Sequence, residues 1–233
     1  MPSFRYDTKI IQNYPNLAAG VIVASRMSNA PTSPELLEAY LAEQETVKTR
    51  IGSTPLSELA SLGAWRRAIS AFGVSPTKYR SAAEALLRRL TKKGDIPSIN
   101  TLVDIGNLVS IRYGLPVAIF DRREIQGAIT VHYADGSETY MELGSDEIMH
   151  PEVGEVIFSD EKQMVVARRW CWRQSATSAA NASTRNAVIT VEAHHENGKA
   201  DIENALSDLL ELLRAHAGGD FNAAVLNPES PLI

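Results

Sequence analysis

The sequence predicts an α+β fold, and three observations carry that prediction. Residues 34–113 place apolar side chains at helical spacing, residues 117–193 change to a period of two with turn residues between the runs, and residues 199–217 return to helical spacing. Helices first, then antiparallel hairpins, then one helix is the order of an α+β chain rather than of alternating βαβ units.

Each element has a local reason. Ala18 to Ala24, in AAGVIVAS, reads as a strand that ends in the loop RMSNAPTSP. Thr32 with Glu35 forms a candidate capping box, with Pro34 in the first turn of a helix over 34–50 that carries Leu36, Leu37, Tyr40, Leu41 and Val47. A second helix starts near Thr54-Pro55 and runs to about residue 71, where Ser75-Pro76 breaks the pattern. Ser81 with Glu84 opens a third helix, through Leu86, Leu87 and Leu90, that Gly94-Asp95 closes. Pro97 or Ser98 opens a fourth, with Ile99, Leu102, Val103, Ile105, Leu108, Val109 and Ile111 on its stripe. Gly114 and Pro116 stop it, and Val117, Ile119 and Phe120 follow as a short strand.

Ile129, Val131 and Tyr133 alternate, Asp135-Gly136 signals a hairpin, and Thr139, Met141 and Leu143 alternate back. A second hairpin joins 156–158 to 164–167, and its strand is expected to continue through Arg168 to Arg173. Residues 174–186 read as a small, polar loop, 187–193 as a strand, and 199–217 as a helix with Ile202, Ala205, Leu206, Leu209, Leu210 and Leu213 on one stripe. Gly218-Gly219 ends it, and the tail FNAAVLNPESPLI is expected to be poorly ordered or loosely docked. No repeat or composition shift marks a boundary, so a single domain over 1–233 is expected, with its core at 17–217 and a tail at 218–233.

Composition narrows the function. The 233 residues carry a net charge of −5, so a strongly basic nucleic-acid binder is not indicated, although a local basic face can still act. One cysteine, Cys171, excludes an internal disulfide framework and a Cys-rich metal site. No apolar run reaches the ~20 residues of a membrane span, and the start MPSFRYDTKI lacks the apolar core of a secretion signal. A cytoplasmic protein with no membrane partner and no DNA partner is expected. No P-loop, dinucleotide-binding glycine pattern or G-x-S-x-G elbow occurs, and no cofactor is expected. His194-His195 resembles a ligand pair, but neighbours on a strand point to opposite faces, so no metal site is assigned.

Two constellations remain. In the expected strand 168–173, Trp170 and Trp172 share a face with Gln174, and Arg173 stands on the other. Such a strand can wall a pocket for an aromatic or carboxylate-bearing ligand, or pack two core tryptophans beside arginine stems. Lys78, Arg80, Arg88, Arg89, Lys92 and Lys93 form a basic cluster suited to an RNA phosphate backbone, or a solvated helix face. Arg66-Arg67 can add to it.

The segment 94–121, GDIPSINTLVDIGNLVSIRYGLPVAIFD, resembles the opening motif of the B3/B4 domains of the bacterial phenylalanyl-tRNA synthetase beta chain. Val103-Asp104-Ile105, Asn107, Val109, Gly114, Pro116 and Phe120-Asp121 keep its order and spacing. The looser likeness over 17–217 implies antiparallel β-sheets in a sandwich-like arrangement with flanking helices. It also implies a free-standing protein that binds tRNA or aminoacyl-tRNA and hydrolyses a mischarged ester, the family's module being a proofreading pocket. An alternative is a tRNA- or amino-acid-binding module without turnover. Of the family's polar pocket residues, Asn107 matches the asparagine and Glu192 the glutamate, which makes these two the catalytic candidates. Gly106 stands where the family has threonine and Ala118 where it has histidine, and Trp-Cys-Trp-Arg-Gln replaces its glycine-rich loop. Trp170, Trp172, Arg173, Gln174, Ala118 and Gly106 are therefore the expected pocket wall, with Asn107, Glu192 and Trp172 expected around one hollow.

Overall fold

A computed structural model describes residues 3–233. Three layers stack. One sheet has four strands in the order β11-β2-β10-β3: β2 (Ala18–Ser25), β3 (Val117–Asp121), β10 (Ala187–Ala193) and β11 (Asp220–Leu226). The other has five in the order β1-β4-β7-β8-β9: β1 (Phe4–Tyr6), β4 (Ile129–Tyr133), β7 (Val156–Ser159), β8 (Val165–Arg168) and β9 (Arg173–Gln174). All pairings are antiparallel except β1 with β4. The helices α2 (Pro34–Ile51), α4 (Ala82–Lys93), α5 (Thr101–Tyr113) and α6 (Gly198–His216) cover the outer face of the four-stranded sheet. The short β5 (Tyr140–Met141) and β6 (Ile148–Met149) pair with each other outside both sheets, α1 (Thr8–Asn13) follows β1, and α3 (Ala60–Ala71) closes one end of the inter-sheet core.

Strand period assigns the two cores. On β10, Ala187, Ile189, Val191 and Ala193 face the helices, whereas Val188 packs between the sheets with Val21, Phe120, Val131, Phe158 and Val166. Thr190 and Glu192 share the register of Val188, so the alternation carries a carboxyl into the space between the sheets.

The mixed α+β class, the antiparallel sheets and the flanking helices are those the sequence predicts. Helix starts differ by a few residues. Ser33, not Thr32, caps α2 by accepting from Leu36 N, because Thr32 is engaged by Asp104 at 2.5 Å. Asn100, not Pro97 or Ser98, caps α5, since Ser98 is drawn to the same Asp104 carboxylate. Ser81 caps α4 as expected. The expected helix from Thr54 is a 3-10 turn at 56–58 followed by α3.

Three expectations are corrected. The run after Asp135-Gly136 does not fold back on β4. The Glu138 carboxylate instead binds the amides of Asp135 and Gly136, and β4 pairs with β1 and β7. The tail is not loose: β11 forms the edge of the four-stranded sheet in register with Ala19 to Ser25 of β2, and Ile233 exchanges backbone hydrogen bonds with Phe4. Its alternation was too weak beside Asn222 and Asn227 to announce a strand. Finally, the strand expected through Arg173 stops at Arg168.

Candidate functional site

That stop builds the site. Arg169 (φ 47°) and Trp170 (φ 62°) both take the left-handed conformation, which bulky residues adopt only when their surroundings hold them there. Trp170 N donates to Val156 O at 2.6 Å, and Ala82 N, at the start of α4, donates to Cys171 O at 2.8 Å. The chain reverses, so β9 pairs back on β8 with Ala167 opposite Gln174. Trp170 and Trp172 consequently do not share a strand face. Trp170 is fully buried, its ring edge-on to Tyr14, Trp65 and His194. Trp172 lies half-buried at the surface, edge-on to Tyr79 at 4.9 Å. The Arg169 guanidinium covers the Tyr79 ring at 3.8 Å and pairs with Glu152, and Arg173 lies 4.9 Å from the Trp172 ring and pairs with Glu142. Arg168 is a buried bidentate partner of Glu155, at 2.9 Å for both bonds.

Behind this turn lies a cavity of about 70 Å³ walled by Ala118, Phe120, Phe158, Trp170, Cys171, Trp172, Arg173, Gln174, Thr190 and Glu192. Glu192 is its chemical centre. The residue is 2% exposed, and its Oε1 accepts from Tyr6 Oη at 2.6 Å and from Trp170 Nε1 at 2.9 Å. No hydrogen bond from the described residues reaches Oε2, the oxygen left for an occupant. Burial pushes the carboxyl up to about 7, against the opposing pull of the Trp170 and Tyr6 donors. Cys171 lines the same cavity, but burial and then the Glu192 charge raise its thiol well above the usual range, so it is no ready nucleophile.

Six of the eight expected catalytic and pocket residues therefore meet: Glu192, Ala118, Trp170, Trp172, Arg173 and Gln174. Asn107 and Gly106 do not join them. They line a separate hollow of about 400 Å³ with Ile99, Val103, Ile119, Leu143, Ala179 and Ala180, so the expectation that Asn107, Glu192 and Trp172 surround one space is corrected. Strand alternation explains it: Ala118 and Phe120 face the inter-sheet side of β3, whereas Ile119 faces α5. Val117 and Gln174 border both hollows, and the Gln174 amide is pinned by the carbonyls of Ile119 and Ser178, each at 2.7 Å. Gly106 is also a close contact, because a Cβ there would stand 3.2 Å from Ile119 Cδ1.

Of the basic cluster, Arg80 lies 3.6 Å from Glu84, Arg89 pairs with Asp95, and Lys78 lies over the Tyr79 ring at 4.9 Å. Arg88, Lys92 and Lys93 are exposed and form no ion pair among the described residues. The same helix begins at Ala82, on the cavity wall.

Sequence reasoning missed Tyr6 and His194. Tyr6 sits on a three-residue strand, too short for a periodic signal. Burial, and then the neighbouring His195, lower the imidazole of His194 to about 3, so it packs as a neutral ring against Trp65 and Trp170. Among the described residues no group of three or more His, Cys, Asp or Glu side chains gathers to hold a metal, and no helix is long and apolar enough to cross a membrane.

A two-sheet α+β protein with one near-neutral carboxyl buried at an inter-sheet cavity is the class that fold and site define. The chain belongs to the B3/4 domain family, whose model matches residues 64–217. It is similar to the phenylalanine–tRNA ligase beta subunit of Photorhabdus laumondii subsp. laumondii, at 33% identity over 86 residues, 37% of this chain and 11% of that protein. The corresponding subunit of Shewanella oneidensis is 28% identical over 94 residues, 40% of this chain and 12% of that protein. The matched segment thus spans little more than a tenth of either relative. An N-terminal fragment of the phenylalanyl-tRNA synthetase beta-subunit from Pyrococcus horikoshii superposes with a TM-score of 0.47 at 13% identity, covering 94% of this chain and 50% of the fragment.

Proposed function

We propose that the chain binds aminoacyl-tRNA and hydrolyses its ester, with Glu192 as general base. The observation that carries this reading is the Glu192 carboxyl itself: buried, raised to about 7, and offering one unpartnered oxygen to a cavity. A base poised near the working pH is half ionised there and still accepts a proton readily. The family's relatives are phenylalanine–tRNA ligase subunits, which brings aminoacyl-tRNA forward as the substrate.

In the step, a water oxygen bonds to the ester carbonyl carbon while its proton passes to Glu192 Oε2. The tetrahedral intermediate then breaks its bond to the ribose oxygen, and that oxygen takes the proton back from Glu192. Tyr6 and Trp170 hold the carboxyl through Oε1, leaving Oε2 free for the proton. Arg88, Lys92 and Lys93 offer positive charge along a helix that starts at the cavity wall, about 9 to 17 Å along its axis from Ala82, for an RNA phosphate backbone. Asn107 does not take part, because it opens on the other hollow.

Binding without turnover is the second reading. It is favoured by Ala118, a methyl at the cavity where the resemblance expects a histidine, so that among the described residues Glu192 is the one Asp, Glu or His side chain on the cavity wall. Incubating the purified chain with charged tRNAs and following release of the amino acid separates the two. Release that Glu192→Gln abolishes supports the hydrolase, and salt-sensitive binding without any release supports the second reading.

A further inference from the structure

Resting on the ester-hydrolase reading, we infer that the cavity accepts only small aminoacyl groups, the glycyl, alanyl and seryl class, and that Trp170 is the wall that enforces the limit. The first ground is size. A cavity of roughly 150 Å³ is what a benzene ring occupies in a protein interior, and the space beside Glu192 is about 70 Å³, near half of that. A phenyl or phenol side chain has no place there, whereas a methyl or hydroxymethyl does.

The second ground is that the wall cannot swing aside. The Trp170 indole is fixed by its bond to Glu192 Oε1 at 2.9 Å and is packed edge-on against Trp65 (5.5 Å), Tyr14 (4.8 Å) and His194 (4.8 Å). Moving it would strip the carboxyl of a donor and open the aromatic cluster together. Phe120 and Phe158 close the floor, their rings tilted against each other with centroids 5.5 Å apart. The third ground is the left-handed pair Arg169 and Trp170. A backbone conformation that disfavours bulky residues is maintained here around an indole that fills space, which makes the filling a built feature.

The test measures selectivity as a ratio. RNA charged with alanine, serine, phenylalanine or tyrosine is incubated separately with the purified chain, and the initial rates of release are compared. Alanyl and seryl esters are expected to be cleaved at least ten-fold faster than phenylalanyl and tyrosyl esters. Equal or faster release of the aromatic amino acids overturns the size inference and leaves the hydrolase reading standing. Release of none overturns the hydrolase reading. Size is then read from titration with non-hydrolysable amide-linked alanyl and tyrosyl RNA, where tighter tyrosyl binding or no preference overturns it. Trp170→Ala is expected to narrow the alanyl-to-phenylalanyl ratio several-fold, a readout independent of how much variant folds. An unchanged or wider ratio removes Trp170 from the role.

Discussion

Replacing Glu192 by Gln is the perturbation with the most to say, because it changes charge and almost nothing else. The amide oxygen can still accept from Tyr6 and Trp170, and the amide nitrogen replaces Oε2 at the cavity. Folding raises the carboxyl from 4.5 to about 7, which at about 1.4 kcal/mol per pH unit makes the linked term about 3 kcal/mol. The sign follows from proton counts. Between those values the folded state holds a proton that the unfolded state has released, so the term is fully present below pH 4.5 and is lost as pH rises through about 7. His194 acts in the opposite sense. Its folded value of about 3, against 6.5, costs stability as pH falls from 6.5, so the two slopes cancel over much of the acid range. The difference between wild type and Glu192→Gln removes the histidine and isolates the carboxyl. Urea unfolding at pH 4.5, 6 and 8 is expected to show a gap that grows in favour of the variant by up to about 3 kcal/mol at pH 8. Deacylation is expected to fall on the order of 100-fold or more in the same variant. Two stability curves that stay parallel across that range would refute the assignment of a proton to buried Glu192.

Tyr6→Phe deletes the 2.6 Å donor to Glu192. The carboxyl is then less stabilised as an anion, so the midpoint of the pH–rate profile is expected to move upward, and an unmoved midpoint sinks the positioning role. Gly114→Ala places a Cβ 2.8 Å from Ser61 Oγ at a φ of 64°. A loss of about 1–2 kcal/mol is expected by thermal unfolding, and an unchanged Tm contradicts it. Replacing Arg88 and Lys92 by Ala together is expected to weaken tRNA binding and reduce the slope of log affinity against log salt by about 1.5–2. Gel shifts at several salt concentrations check it, and an unaltered slope removes this helix face from the contact.

The layers were legible where period and caps agreed. Ser81, Gly94, Gly114 and the apolar run 187–193 mark their elements correctly because each signal is local. The failures share a cause: a carboxylate side chain took the groups that the caps and the turn were expected to use. Asp104, buried, collects Thr32, Ser98 and the Ile99 amide, so two expected caps are spent on it. Glu138 takes the amides of the Asp135-Gly136 turn, and the hairpin that turn advertised is not made. In the site, the residue types pointed to Glu192, Trp170 and Gln174, but their geometry depends on two left-handed residues that no sequence pattern marks in Arg-Trp. Asn107 fails for a different reason: it sits on α5, which covers the outer face of the four-stranded sheet, while the alternation of β3 sends Ala118 to the inter-sheet side.

Tyr6 shows that the site draws on residues outside the family segment. It lies outside residues 64–217, yet it is one of two donors to the buried carboxyl. Its strand is held from two directions: parallel pairing with β4 fixes Tyr6 opposite Val131, and Tyr6 N donates to Pro231 O at 3.0 Å. The flank before the family segment thus supplies one donor to Glu192 Oε1, and the flank after it holds that donor's strand through Pro231. A carboxyl this deeply buried needs donors to remain ionisable near neutrality; with none, burial would drive it further up and leave it protonated and inert as a base. With both protein donors on Oε1 and none on Oε2, the anion is stabilised enough to exist and still has a lone pair to use. That division between the two oxygens is the geometric ground of the proposed base role of Glu192.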